Sequence, residues 1–146
     1  MIDKLRLKRY REKIMHIERR ISQIDNWISG YSDLDFIDDE KTKLAVYKAF
    51  QEAVESVMDV IAMSCKDSGI PPKDDYSNIE ALADTGVLDK ELMELLIEAN
   101  GLRNRLAHHY NKLNDRTAFE SIKELLDTLL KFTEVIEEWI AKNLKQ

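Results

Sequence analysis

Leu7, Tyr10, Ile14, Ile17, Ile21, Ile24 and Ile28 recur at alternating steps of three and four residues near the start of the chain. That spacing is the 3.5-residue seam of a helix laid against other helices. It lasts only about three heptads, which favours the core of a bundle over an extended coiled coil. Gly30 follows where a helix C-terminal cap belongs. With only 4 glycines and 2 prolines in 146 residues, little interrupts further helices.

The rest of the chain repeats this logic. Leu44, Tyr47, Phe50, Val54, Val57, Met58, Ile61 and Cys65 form the apolar stripe of a second helix, reached through a linker from Tyr31 to Asp39 in which Asp38 or Asp39 can serve as cap. Gly69 and Pro71-Pro72 place a loop over 66–75, and Ser77-Asn-Ile-Glu80 has the capping-box pattern of a short helix that stops near Gly86. Asp89 can cap a helix with Leu92, Leu95, Leu96, Ala99, Leu102 and Leu106 at its core positions. After the polar stretch from Asn111 to Asp115, a second capping-box pattern at Thr117-Ala-Phe-Glu120 opens a helix that runs through Ile140. No segment alternates with the period of two that a half-buried strand requires. The spacing predicts an all-α fold, an up-down bundle of four long helices plus a short one, occupying residues 1–146 as a single domain.

Charge and cysteine usage narrow the function. A net charge of −6 argues against wholesale binding to a phosphate backbone. The distribution is uneven: residues 1–20 carry eight Lys and Arg against three Asp and Glu, so they run at +5 and the remainder at −11. Cys65 is the single cysteine, which leaves no internal disulfide and no cysteine-based metal cluster. The N-terminus mixes charge with Ile and Leu, unlike a signal peptide, and no apolar run approaches the ~20 residues of a membrane span. The expectation is a soluble, cytoplasmic protein without a membrane segment. Trp27, Trp139 and Tyr47 are expected in the core, and His16 at a structural or exposed position.

Chemistry concentrates in residues 103–110, Arg-Asn-Arg-Leu-Ala-His-His-Tyr. Two of the chain's three histidines are adjacent here, and adjacent helical residues point about 100° apart, so they do not form a metal pair; no metal or cofactor site is expected. Without a metal, cleavage of an RNA phosphodiester needs a base for the ribose 2′-hydroxyl and a cation for the charge developing on phosphorus. His108 suits the first role and the planar fork of Arg103 the second. Tyr110 can orient the phosphate or present a modifiable hydroxyl, while Arg105, His109, Lys112 and Arg116 can hold the backbone of a single strand. The same cluster also reads as a solvated helix face or a polar network between subunits. On one unbroken helix Tyr110 falls almost over Arg103, whereas His108 lies roughly 140° away. Either the helix deforms over 107–111, or long side chains reach round it, or Arg103 and His108 of two copies meet across a two-fold axis. The last is favoured.

The pattern Arg103-x-x-x-x-His108-x-Tyr110, introduced by Asn100-Gly101-Leu102, resembles the signature of the HEPN superfamily and, more narrowly, the HepT toxins. The similarity extends to Ile14-x-x-Ile17-x-x-x-Ile21, Phe50-x-x-Ala53-x-x-x-Val57, the loop Pro72–Tyr76 and Leu82-Ala-x-x-Gly86-Val-Leu, in the same order along nearly the whole chain. The resemblance implies an all-α homodimer with two motifs in one interface cleft, acting as a metal-independent endoribonuclease toxin. It implies an MNT-type nucleotidyltransferase as antitoxin, which transfers AMP onto the motif tyrosine. Carried over, Arg103, His108 and Tyr110 become catalytic, Tyr110 also the AMP acceptor, and Asn104 a helper; Arg105 and His109 remain supporting residues on the strength of their charge and place beside the motif. The competing expectation is a non-catalytic nucleotide-binding or interaction subunit that partners a nucleotidyltransferase.

Overall fold

The computed structural model describes residues 1–145, and of Tyr110 only the backbone. The seven-residue seam does form a helix, α1 (Lys4–Ile28), with every position from Tyr10 to Ile28 buried and Leu7 half-buried at its open end. Asp3 caps it by accepting from the Arg6 amide at 2.8 Å. Its last turn closes on Gly30, whose φ of 76° is the left-handed conformation that a helix end needs and that costs glycine nothing.

Three further long helices follow, α3 (Glu40–Asp67), α5 (Lys90–His108) and α6 (Asp115–Lys142), with two short ones between them, α2 (Asp33–Asp38) and α4 (Asp75–Asp84). The long helices close a ring, α1 on α3, α3 on α5, α5 on α6 and α6 back on α1. The chain ends confirm the up-down order. Ile2 bridges to Leu144 and its amide donates to the Asn143 carbonyl at 2.9 Å, so α1 begins where α6 finishes. One contiguous apolar core fills the ring, with Ile17, Phe50, Ile61, Leu96, Leu129 and Phe132 fully enclosed.

The bundle of four long helices is therefore as the periodicity predicts, but the short-helix count is one too low. Residues 33–38 of the expected linker are helical because Ser32 and Asp35 form a reciprocal capping box, at 3.1 Å and 2.9 Å. The turn is worth forming because it buries Phe36, which stacks on Phe119 at 4.4 Å and meets Tyr47 edge-on at 5.7 Å. Two caps also lie three residues earlier than the sequence patterns place them. Asp74 caps α4 by accepting from the Ser77 amide, and Asn114 caps α6 by accepting from the Thr117 amide. In both cases an earlier side-chain oxygen reaches the orphan N–H first. Asp39 and Asp89 cap α3 and α5 as expected. Leu44 and Trp27, expected in the core, are 46% and 40% exposed.

Candidate active site

The element that carries the motif ends sooner than an unbroken helix would. Helix α5 stops at His108, His109 is its cap with a φ of −140°, and Tyr110–Lys112 form a 3₁₀ turn before α6 begins. The stacking of Tyr110 over Arg103 two helical turns away therefore does not apply. The chain leaves the helix between them, held by the His109 amide on the Arg105 carbonyl at 2.7 Å and the Lys112 amide on the His109 carbonyl at 2.9 Å. The side chain of Tyr110 lies outside the described residues.

Arg103 and His108 both lie within α5, so the separation of about 140° around the helix holds for them. Arg103 sits on the side of α5 that faces α3. Its Nη1 donates to Asn104 Oδ1 at 2.7 Å, and its Nη2 lies 3.4 Å from Glu55 Oε1. Its Nε is buried and has no hydrogen-bond partner among the described residues, and the same is true of Oδ1 of Asn100 one turn earlier. Unmet buried donors and acceptors each cost about 1–3 kcal/mol, so a guanidinium edge left this way is a place where an acceptor would be held.

His108 takes the other side. On the same helical wheel it falls with Gly101 and Arg105, all within about 60° of each other. Gly101 leaves that side open: a Cβ there would come within 3.5 Å of Arg105 Nη1 and 3.9 Å of the Tyr76 hydroxyl from α4. Arg105, His108 and His109 are exposed, and the two imidazoles stand edge to face at 6.5 Å between ring centroids. The chain thus presents two separate polar groups, a semi-enclosed guanidinium towards α3 and an exposed imidazole on the α4 side. Of the backbone-holding candidates, Lys112 is exposed and Arg116 is engaged by Asp33 at 3.7 Å.

The remaining polar groups explain how this end is anchored. Asp115, the first residue of α6, accepts from the Tyr47 hydroxyl at 2.6 Å and pairs with Lys43 at 3.0 Å, which ties the far side of the motif turn to α3. Burial, and then the Asp115 carboxylate, push the Tyr47 phenol well above its ordinary pKa. Cys65 is buried with its Sγ on the Asn78 carbonyl at 3.4 Å, and burial pushes its thiol up, as suits a core residue and not a nucleophile. His16 faces Glu52 at 3.6 Å on the α1–α3 side, apart from the motif. Sequence reasoning missed Glu55, which reaches Arg103 from α3, and Tyr76, whose hydroxyl lies beside Gly101 just before the motif; only the packing order of the helices brings them there.

The geometry meets a clear set of relatives. The model of the family described as Ribonuclease HepT-like matches residues 17–136. An Archaeoglobus fulgidus protein named "Putative RNase" is 37% identical over 141 residues, spanning 94% of this chain and 98% of that protein. Among solved structures, a toxin–antitoxin crystallised with AMP-PNP superposes with a TM-score of 0.83 at 22% identity, over 90% of this chain and 98% of that one. A tri-AMPylated Shewanella oneidensis HEPN toxin in complex with an MNT antitoxin superposes with a TM-score of 0.81 at 23% identity, over 89% and 97%. No helix among the described residues is long and apolar enough to cross a membrane. From the match over most of its length, the chain belongs to the Ribonuclease HepT-like family.

Proposed function

We propose that this chain is a metal-independent endoribonuclease, the toxin of a toxin–antitoxin pair, whose cleft forms between the motifs of two copies in a homodimer. The observation that carries the reading is the state of Arg103: a guanidinium held by Asn104, enclosed on one side, with an unmet N–H at its edge. Such an edge suits a phosphoryl oxygen. His108 takes the proton of the ribose 2′-hydroxyl, and the 2′-oxygen attacks the adjacent phosphorus. Arg103 stabilises the charge that builds on the equatorial oxygens. The P–O5′ bond breaks, the 5′-oxygen takes a proton from water and leaves as a hydroxyl, and a 2′,3′-cyclic phosphate remains. Arg105 and His109 hold flanking phosphates.

The partner in this reading is an MNT-type nucleotidyltransferase. The AMPylated HEPN toxin with its MNT antitoxin, and the toxin–antitoxin crystallised with AMP-PNP, support that choice. The Tyr110 hydroxyl attacks the α-phosphorus of ATP and pyrophosphate leaves. The new phosphate and adenosine then fill the cleft and present Arg103 with a negative group in place of RNA. Purified protein incubated with single-stranded RNA in a chelator is expected to cut it. Arg103→Ala and His108→Ala should each slow cleavage by about 10²–10⁴-fold. Parent protein that forms a complex with the nucleotidyltransferase but cuts no RNA would instead make the chain a binding subunit.

A further inference from the structure

Glu55 is the one carboxylate that reaches Arg103 among the described residues, and it does so incompletely. A single oxygen, Oε1, stands 3.4 Å from Nη2, longer than the 2.7–2.9 Å of a charge-assisted hydrogen bond. The same oxygen accepts from Gln51 Nε2 at 3.2 Å, which holds the carboxylate in place from one turn earlier on α3. Asn104 occupies Nη1, so the edge formed by Nε and Nη2 is the one left facing Glu55. The Glu55 side chain is 39% exposed and can swing into water. The acids beside Glu55 in the groove between α1 and α3 differ: Glu52 is paired with Arg20 at 3.1 Å and Asp59 with Lys13 at 2.7 Å. Glu55 has Arg103 as its only cationic partner among the described residues.

We propose that Glu55 guards the anion-binding edge of Arg103, and that an RNA phosphate must displace it to bind. This rests on the reading of Arg103 as the phosphate-binding residue. A phosphate offers oxygens to Nε and Nη2 together, satisfying the buried N–H that one carboxylate oxygen leaves unmet. Until it arrives, the Glu55 charge opposes the approach of a polyanion. The guard thus sets how strongly a strand must be held elsewhere before its phosphate reaches Arg103, and it disfavours casual binding of anions.

Two measurements on Glu55→Gln test this. The first is the rate at which phenylglyoxal modifies Arg103, followed by peptide mass spectrometry, which needs no RNA. The rate should rise several-fold in Glu55→Gln and stay unchanged in Asp59→Asn, which removes a charge from the same groove without touching Arg103. No rise in Glu55→Gln overturns the guard. The second is binding of a labelled single-stranded oligouridine in a cleavage-inactive His108→Ala background. Loss of one charge a few ångströms from the phosphate should tighten binding roughly three- to tenfold. The gain should vanish when Arg103→Ala is added. A gain that persists without Arg103, or that Asp59→Asn equals, is a diffuse field effect and refutes the contact mechanism. If Arg103 reactivity rises while neither parent nor variant binds RNA, the guard stands and the ribonuclease reading falls.

Discussion

Because Arg103 and His108 diverge by about 140° around α5, the shared-cleft reading predicts that two defective copies restore one another. Consider a mixture of Arg103→Ala and His108→Ala protomers, unfolded and refolded together or co-expressed with different tags. In a two-fold dimer whose sites each take Arg103 from one copy and His108 from the other, the mixed dimer has one intact site and one lacking both residues. Random pairing makes half the dimers mixed, so the mixture should regain about one quarter of parental activity. Each variant alone should remain about 10²–10⁴-fold down, which leaves the recovery far above background. The assay is cleavage of a fluorophore–quencher RNA, with native mass spectrometry to count mixed dimers. If mixed dimers form and activity stays at the level of the single variants, the site is built within one protomer and the angular argument fails. A chain that sediments as a monomer at micromolar concentration refutes it more directly.

Tyr47→Phe keeps the ring against Phe36 but removes the 2.6 Å bond to Asp115, while Lys43 still holds the carboxylate. A loss of about 1–2 kcal/mol is expected, read as a melting temperature lower by roughly 2–8 °C. The pH dependence carries a sign. The phenol of Tyr47, and likewise that of Tyr10 beside Asp67, is raised by burial first and the carboxylate second. Their contribution is full below the unfolded value of about 10 and is lost as pH rises above it, so Tyr47→Phe should flatten part of the alkaline decline. Asn104→Ala releases Nη1 of Arg103. Cleavage should slow about tenfold in kcat with the melting temperature unchanged, since orientation and not enclosure is lost.

The four long helices were legible because their stripes repeat a helical period over 15 or more residues, and each such stripe has only one way to be buried. The Arg103–His108 divergence was legible for the same reason, since α5 stays regular through His108. Helix α2 was not: its signal is a single capping box and one phenylalanine, and Phe36 becomes decisive only once Phe119 and Tyr47 arrive from distant parts of the chain. The end of α5 was legible only as one of three alternatives, a helix that deforms over 107–111, and not the favoured one. Ala107-His108-His109-Tyr110 contains no Gly or Pro to stop a helix, and the turn is fixed instead by Asn114 capping α6 and by Asp115 held on α3. Glu55 escaped notice because an acid on an exposed helical face is indistinguishable in sequence from its neighbours Glu52 and Asp59.

The charge segregation seen in the sequence changes meaning in the fold. The excess of +5 in residues 1–20 resembles a nucleic-acid track, yet three of its eight cations join α1 to α3. Arg6 pairs with Asp67 at 2.9 Å, Lys13 with Asp59 at 2.7 Å and Arg20 with Glu52 at 3.1 Å, a row that follows the whole contact between the two helices. Such partly exposed pairs add little energy each, but they fix the register of α3 against α1. Register matters here because α3 also presents Glu55 to Arg103. A slide of α3 by one turn would carry Glu55 about 5 Å along its axis and leave the guanidinium against a different side chain. The basic N-terminus and the motif at the end of α5 are thus linked through one helix: α3 pairs Glu52, Asp59 and Asp67 with the cations of α1, and Glu55, which lines the same groove as Glu52 and Asp59, with the single arginine that the proposed chemistry requires.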